Sequence, residues 1–284
     1  MINLMLALNV DGNYLTILQE MRKKHKKLDC NKTLNELKSE IFDGYRWQPP
    51  NLVKIPKPDG IKTRDIFIFN DENSLVQKVI NKVLTDNFGL LVSDCVFSYK
   101  KGVRTFNAAK HIQTYLKSSD YVGIKVDIHN YFMSVNSKTI DSALNELIAD
   151  EDGLTLVKSL LRSDEYYYKS ELQHEHLGIM PGCAISSFLA NYLLRDVDAY
   201  LEKTCIAYAR YSDDLILFCN NENELASVME TLKSLLENKG LELNPKKVSK
   251  INSSDKIEFL GLEITKDYID ISKETFASSG SSAS

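Results

Sequence analysis

Two adjacent carboxylates, Asp213 and Asp214, interrupt an otherwise largely apolar stretch that runs from Ile206 to Cys219. Runs of this kind belong in a core, and the residues that break them belong at its edge. The stretch therefore reads as a β-hairpin with Tyr211-Ser212-Asp213-Asp214 at its tip. The pair can be a plain polar turn. It can also be half of a metal site, because adjacent carboxylates repel one another and packing them near a third is unfavourable without a cation. A hard divalent ion removes that penalty, and Mg²⁺ favours one or two carboxylates together with substrate phosphates. Asp127 closes a β-rich segment, Tyr121–Ile128, and is the natural third carboxylate. Its plain reading is a strand-end turn. Three such groups suit two ions about 4 Å apart, one activating a hydroxyl and the other stabilising a leaving pyrophosphate.

The rest of the chain alternates strand-like and helix-like patterns. Val53–Phe69 contains Pro56-Lys57-Pro58-Asp59-Gly60 and reads as two short strands around a turn. Leu75, Val79 and Val83 recur at helical spacing, as do Ile140, Leu144, Leu147 and Ile148. Ser187–Glu202 reads as one helix. Asn221 and Glu224 suggest a capped helix start, with Gly240 as its stop. Ile257–Ile264 reads as a final strand. The fold class expected is α+β, an antiparallel sheet with helices on one face.

Composition narrows the class further. The 284 residues are 43% hydrophobic and 26% charged, which excludes global disorder. No apolar run reaches the length of a membrane span, so no membrane partner is expected. Met1–Val10 lacks the charged start and the cleavage pattern of a secretory signal. Five scattered cysteines, without a C-x-x-C pair, point to reduced thiols and a cytoplasmic location. The net charge of −4 argues against a uniformly basic surface. The basic residues nevertheless cluster, at Arg22–Lys27, at Lys54, Lys57, Lys62 and Arg64, and at Lys100, Lys101 and Arg104. His174-Glu175-His176 is a weak metal-pair candidate. Tyr166-Tyr167-Tyr168 is a candidate for base stacking or protein priming, or simply a surface tyrosine cluster in an insertion.

An ordered series of segments resembles the reverse transcriptases, and within them the bacterial lineage of group II introns, retrons and defence-associated enzymes. Ile55–Arg64 resembles the fingers hairpin of that family, and Phe97-Ser98-Tyr99-Lys100-Lys101-Gly102-Val103-Arg104 the segment that follows it. Val126–Phe132 is similar to motif A, Gly178–Asn191 to motif B, Ala209–Asp214 to motif C, Gly240–Lys247 to motif D, and Phe259-Leu260-Gly261 to the primer grip. The resemblance covers roughly residues 50 to 265. It implies a right-hand polymerase with a ferredoxin-like palm: residues 1–48 as a helical extension, 49–119 as fingers, 120–265 as palm with a fingers insertion around 150–176 and 266–276 as a short remnant; residues 277–284, only Ala, Ser and Gly, read from composition as a linker tail. The thumb is expected to be missing or minimal.

The implied roles follow residue by residue. Asp127, Asp213 and Asp214 hold two Mg²⁺ ions, with Mn²⁺ as a substitute. Lys57 and Arg64 hold the triphosphate of a dNTP. Phe132 excludes the ribose 2′-OH, Gly182 lets the backbone approach the nascent base pair, and Lys247 donates a proton to pyrophosphate. The implied partners are an RNA template, in particular a specific non-coding RNA, a nucleic-acid or protein primer, and a protein that supplies the thumb. Antiphage defence is the implied setting. Motif B departs from the family pattern: Met180-Pro181-Gly182 stands where Pro-Gln-Gly is usual, which brings untemplated or protein-primed nucleotidyl transfer into view. A non-catalytic RNA- or protein-binding scaffold is the third alternative.

Overall fold

Three β-sheets and the helices around them organise the chain, in a computed structural model that describes residues 1–24, 32–56, 63–116, 120–175 and 178–272. From the N-terminus come α1 (Leu4–Leu8), α2 (Asp11–Lys24), α3 (Leu34–Gly44), β1 (Asn51–Pro56), β2 (Thr63–Ile68) and α4 (Asp71–Phe88). Next are α5 (Thr105–Tyr115), β3 (Val122–Asp127), α6 (Tyr131–Ser134), α7 (Ser137–Leu147), α8 (Glu151–Leu161), β4 (Glu165–Tyr168) and β5 (Glu171–His174). The chain continues through α9 (Ala184–Tyr192), α10 (Arg195–Thr204), β6 (Ala207–Tyr211), β7 (Asp214–Cys219) and α11 (Glu222–Glu237). It closes with β8 (Ser249–Asn252), β9 (Ile257–Phe259), β10 (Leu262–Ile264) and β11 (Ile269–Ile271). The α+β class is as expected. No helix among the described residues is long and apolar enough to cross a membrane.

The chain forms two units, each discontinuous in sequence. Residues 1–90 and 135–193 form one; residues 91–134 and 194–284 form the other. Residues 135–193, which the sequence places inside the palm range, thus group with the fingers-hairpin segment.

In the first unit, the antiparallel hairpin β1–β2 is extended by β4 and β5 in the order β2-β1-β4-β5. Tyr166 is buried in β4, packs edge-to-face on Phe67 at 5.4 Å and donates its hydroxyl to Glu175 Oε2 at 3.0 Å. This tyrosine of the triplet is therefore a packing residue, while Tyr167 is more exposed. Asn70 caps α4, and Leu75, Val76, Val79, Ile80, Val83 and Leu84 form its buried stripe. Asp150 caps α8 through Gly153 N–H and also accepts the backbone N–H groups of Leu4 and Met5, which ties α1 to α8. Gly153 leaves room for this: an added Cβ would meet Asp150 Oδ2 at 2.4 Å and Leu4 Cβ at 2.8 Å.

In the second unit, four antiparallel strands run in the order β6-β7-β3-β8, and β9, β10 and β11 form a smaller sheet. Ala108, Ile112, Ile216, Phe218, Ile251, Phe259 and Ile264 belong to one apolar cluster, so α5 and both sheets share a core. Asn221 caps α11 by accepting Asn223 and Glu224 N–H, while the Glu224 carboxylate reaches the preceding Asn220 N–H. Gly240, at φ +75°, follows the helix end.

Two expectations need correction. Ser187–Glu202 is not one helix: α9 ends at Tyr192 and α10 starts at Arg195, where the chain passes from one unit to the other. Its apolar period runs on without Pro or Gly, so nothing local marks the break. Ile257–Ile264 is not one strand either. Phe259 pairs with Leu262 across Leu260 and Gly261, both at positive φ (54° and 77°), which is the type I′ hairpin pattern. Leucine at the first of these positions hides the turn from a sequence reading.

Asp150→Ala leaves three helix-start N–H groups without their acceptor. We expect a loss of about 1–3 kcal/mol in urea unfolding, with Asp150→Asn losing less.

Candidate active site

Register places the acidic residues. Six consecutive pairs join β3 to β7, from Val122↔Cys219 to Asp127↔Asp214, so the last residue of β3 faces the first of β7. On the other side of β7, Tyr211 pairs with Asp214 across a loop of Ser212 and Asp213. Ile128 N–H donates to Asp213 C=O at 2.9 Å and fixes this tip against the end of β3. The result brings ligand oxygens of Asp127, Asp213 and Asp214 within 4.8 Å of one another. These are the three carboxylates singled out from sequence. Among the described residues, theirs is the grouping of three acidic, His or Cys side chains fit for a metal. His174 lies in β5 near Glu165 (3.7 Å), and His176 falls outside the described residues.

The electrostatics are those of a site built for a cation. Burial, opposed in part by hydrogen bonds, raises the Asp213 carboxyl above its ordinary value, and Asp127 adds to the shift. Burial together with the charges of Asp213 and Asp127 raises Asp214 to about 6. Asp127 is only 4% exposed and takes two neighbours from the loop before β8. Lys247 Nζ donates to its Oδ2 at 2.6 Å, and Asn244 Nδ2 donates to its Oδ1 at 3.3 Å. Asn244 N–H also donates to Asp127 C=O at 2.8 Å, and Ile128 bridges Leu243, so this loop is zipped onto the end of β3. Oxygen-only donors at this spacing fit Mg²⁺ or Mn²⁺ better than a softer metal.

Residues 55–264 match the family described as Reverse transcriptase (RNA-dependent DNA polymerase). The chain belongs to the reverse transcriptase family. Among curated proteins, this reverse transcriptase chain is similar to the putative COX1/OXI3 intron 1 protein of Saccharomyces cerevisiae, 28% identical over 60% of this chain and 20% of that protein. It is also similar to protein YkfC of Escherichia coli, 21% identical over 80% of this chain and 70% of that protein. The chain spans about a fifth of the length of the yeast intron proteins that it matches. Among solved structures, apo telomerase from Candida tropicalis truncated from its C-terminal domain shares the fold. Its TM-score is 0.63 at 15% identity, covering 84% of this chain and 60% of that one.

The other candidate residues of this reverse transcriptase chain sit in different settings. Phe132 lies in α6, one residue after the buried Tyr131 and beyond Asn130, which turns the chain at φ +45°. Its half-buried ring meets Tyr99 in a T-shaped contact at 6.5 Å. Gly182 has φ +109°, and a Cβ there would meet Phe67 C=O at 2.2 Å. The close backbone approach visible at Gly182 is thus to β2, and Phe67 N–H donates to Pro181 C=O at 2.8 Å. Arg64 is exposed in β2 opposite Ile55. Lys57 falls outside the described residues, as do Lys26 and Lys27 of the first basic run.

Sequence reasoning missed Asn244. An Asn before a Pro reads as a turn former, and its second task, orienting Asp127, depends on a contact across 117 positions.

Raised carboxyls make the metal-free site least favourable at neutral pH. The folded state holds a proton that the unfolded chain has released between about pH 4 and 6, so Asp214 erodes stability as pH rises through about 6. In calorimetry without metal, Asp214→Asn is expected to flatten this dependence and melt a few degrees above the parent at pH 7.5. Mg²⁺ is expected to raise the parent's melting temperature more than the variant's.

Proposed function

We infer that this chain is the catalytic core of an RNA-directed DNA polymerase that adds dNTPs to a primer 3′-OH. The observation that carries this reading is the β3–β7 register, which gathers Asp127, Asp213 and Asp214 at one strand end. In this reading the three carboxylates hold two Mg²⁺ ions, for which Mn²⁺ can stand in. The ions supply Lewis acidity to the attacking oxygen and to the departing pyrophosphate. Lys247, already at the triad, holds the proton that the pyrophosphate takes. The ring of Phe132 excludes a ribose 2′-OH, and Lys57 and Arg64 bind the triphosphate as a point charge and a planar fork. Gly182 keeps the motif B backbone free of a side chain beside the nascent pair. The unit carrying the triad serves as the palm, and the β1–β2 hairpin belongs to the fingers.

The same reading gives the chain a specific non-coding RNA as template, a nucleic-acid or protein primer, a partner that supplies thumb contacts, a cytoplasmic location, and a role in antiphage defence within the bacterial lineage. Pro181 lends weight to a second reading, untemplated or protein-primed nucleotidyl transfer. Proline carries no side-chain amide with which to contact a template, and its carbonyl is taken by Phe67.

Incorporation of labelled dNTPs, with Mg²⁺ or Mn²⁺ and with or without RNA template and primer, tests both. Asp213→Asn with Asp214→Asn is expected to lower incorporation by about a thousandfold or more. Template-independent tracts would replace the first reading with the second. Nucleic-acid binding without incorporation under either metal would point to a scaffold. Phe132→Ala is expected to raise the use of NTPs relative to dNTPs by about 10–100-fold, read from competing substrates.

A further inference from the structure

The Phe97–Arg104 segment has no role in the chemistry described so far, yet it touches the turn that carries Asp213. Residues 95–97 run beside β6: Arg210 N–H donates to Cys95 C=O at 2.9 Å, Phe97 N–H donates to Arg210 C=O at 2.8 Å, and Val96 bridges Arg210 in parallel. This brings Ser98 and Tyr99 to Ser212, the residue between β6 and Asp213. Ser212 is buried and has φ +61°. Positive φ at the first of two loop residues only is the type II′ pattern, which favours glycine there. A serine in that region costs free energy and persists only where its surroundings hold it.

It is held on three sides. Ser212 N–H donates to Ser98 Oγ at 2.9 Å, and Ser98 is fully buried. Ser212 Oγ lies 3.2 Å from Tyr99 Oη. Ser212 C=O accepts Arg210 Nη1 at 3.1 Å. Arg210 is itself fully buried and locked: its Nε and Nη2 donate to Asp198 Oδ1 and Oδ2 at 2.7 and 2.6 Å, and Tyr208 Oη donates to Asp198 Oδ1 at 2.6 Å.

A buried ion pair is a poor way to gain stability alone, since apolar side chains of similar volume usually do as well or better. What apolar side chains cannot do is donate to the Ser212 carbonyl. We propose that Ser98, Tyr99 and Arg210, with Arg210 locked by Asp198, are positioning residues that hold the Ser212 turn and so set where the Asp213 carboxylate stands relative to Asp127 and Asp214. The inference rests on the metal-dependent nucleotidyl-transfer reading above. It also assigns the 97–99 segment a role separate from substrate contact.

The test replaces the buried ion pair and its tyrosine by apolar side chains, so that no buried charge is left without its counter-charge while the Ser212 carbonyl loses its donor: Arg210→Met, Asp198→Leu and Tyr208→Phe together. Ser98→Ala and Tyr99→Phe are made as separate, milder variants. Three readouts are taken on each full-length protein: thermal unfolding, Mn²⁺ affinity by electron paramagnetic resonance, and kcat and KM for dNTP incorporation. The triple variant is expected to melt within a few degrees of the parent or above it, to bind Mn²⁺ about tenfold more weakly, and to lose about 10–100-fold in kcat with little change in KM. Ser98→Ala and Tyr99→Phe are expected to lower kcat about 3–10-fold. Arg210→Lys, which keeps the charge and loses the fork, is not expected to restore it. Full Mn²⁺ affinity and full kcat in a folded triple variant would overturn the proposal. If the triple variant does not fold, unchanged Mn²⁺ affinity and kcat in both milder variants would overturn it.

Failure of the underlying reading looks different. A parent that binds Mn²⁺ through Asp213 but incorporates nothing refutes polymerase chemistry, and the Mn²⁺ affinities still decide whether the turn is held. A parent that does not bind Mn²⁺ refutes both.

Discussion

The pairing of β3 with β7 is the constraint on which the site depends. Asp127 and Asp214 are neighbours only because each closes or opens its strand at the same rung. The rungs behind them hold this alignment. Gly123 faces Phe218, and a Cβ at Gly123 would meet the phenyl ring at 2.5 Å, so the ring lies in the space that the glycine leaves. A slip by one residue would put that ring against a side chain and turn Asp127 to the opposite face. The apolar contents of β3, β6 and β7 therefore do more than stabilise the second unit. They set the geometry of three charges at its edge.

Those charges oppose the fold that presents them. Asp213 and Asp214 are pushed toward protonation by burial and by neighbouring carboxylates, Asp127 acting on both and Asp213 on Asp214, and the ammonium of Lys247 relieves only part of the load. The protein offsets this locally with directed backbone contacts: Ile128 N–H to Asp213, Asn244 N–H to Asp127 and the hydrogen bonds around Ser212. Each fixes main chain rather than neutralising a carboxylate. The acidic edge is held in place by these backbone contacts, while Lys247 forms its ion pair with Asp127.

Much of this was legible in the sequence for definite physical reasons. The hairpin showed because apolar runs flank its acidic tip, and Asn221 showed because a capping side chain acts within its own turn. Asp127 showed because a carboxylate ends an apolar strand. What stayed hidden depends on partners far along the chain or on backbone conformations that the residue type does not advertise. Arg210 stands as one charge in a buried strand, and its counter-charge lies on α10. Ser98 reaches Ser212 across 114 positions. Leu260 takes a positive φ that its side chain disfavours. The break between α9 and α10 carries no Pro or Gly, so an unbroken apolar period conceals it.

The interleaving of the two units has a consequence for synthesis. The first unit needs residues 135–193 to complete it, and the second needs residues from 194 onward. A chain emerging from the ribosome therefore carries α1 to α4 before their α8 and α9 partners exist. The Leu4 contact to Asp150, which spans 146 positions, forms only after residue 150 has been made. Neither unit can mature in simple N-to-C order. Loop closure over such separations is slow and leaves the α9 side of α4 uncovered for that interval, although α1 and α2 already pack on it. The interleaving thus makes long-range closure, rather than local helix formation, the late step in assembling the first unit.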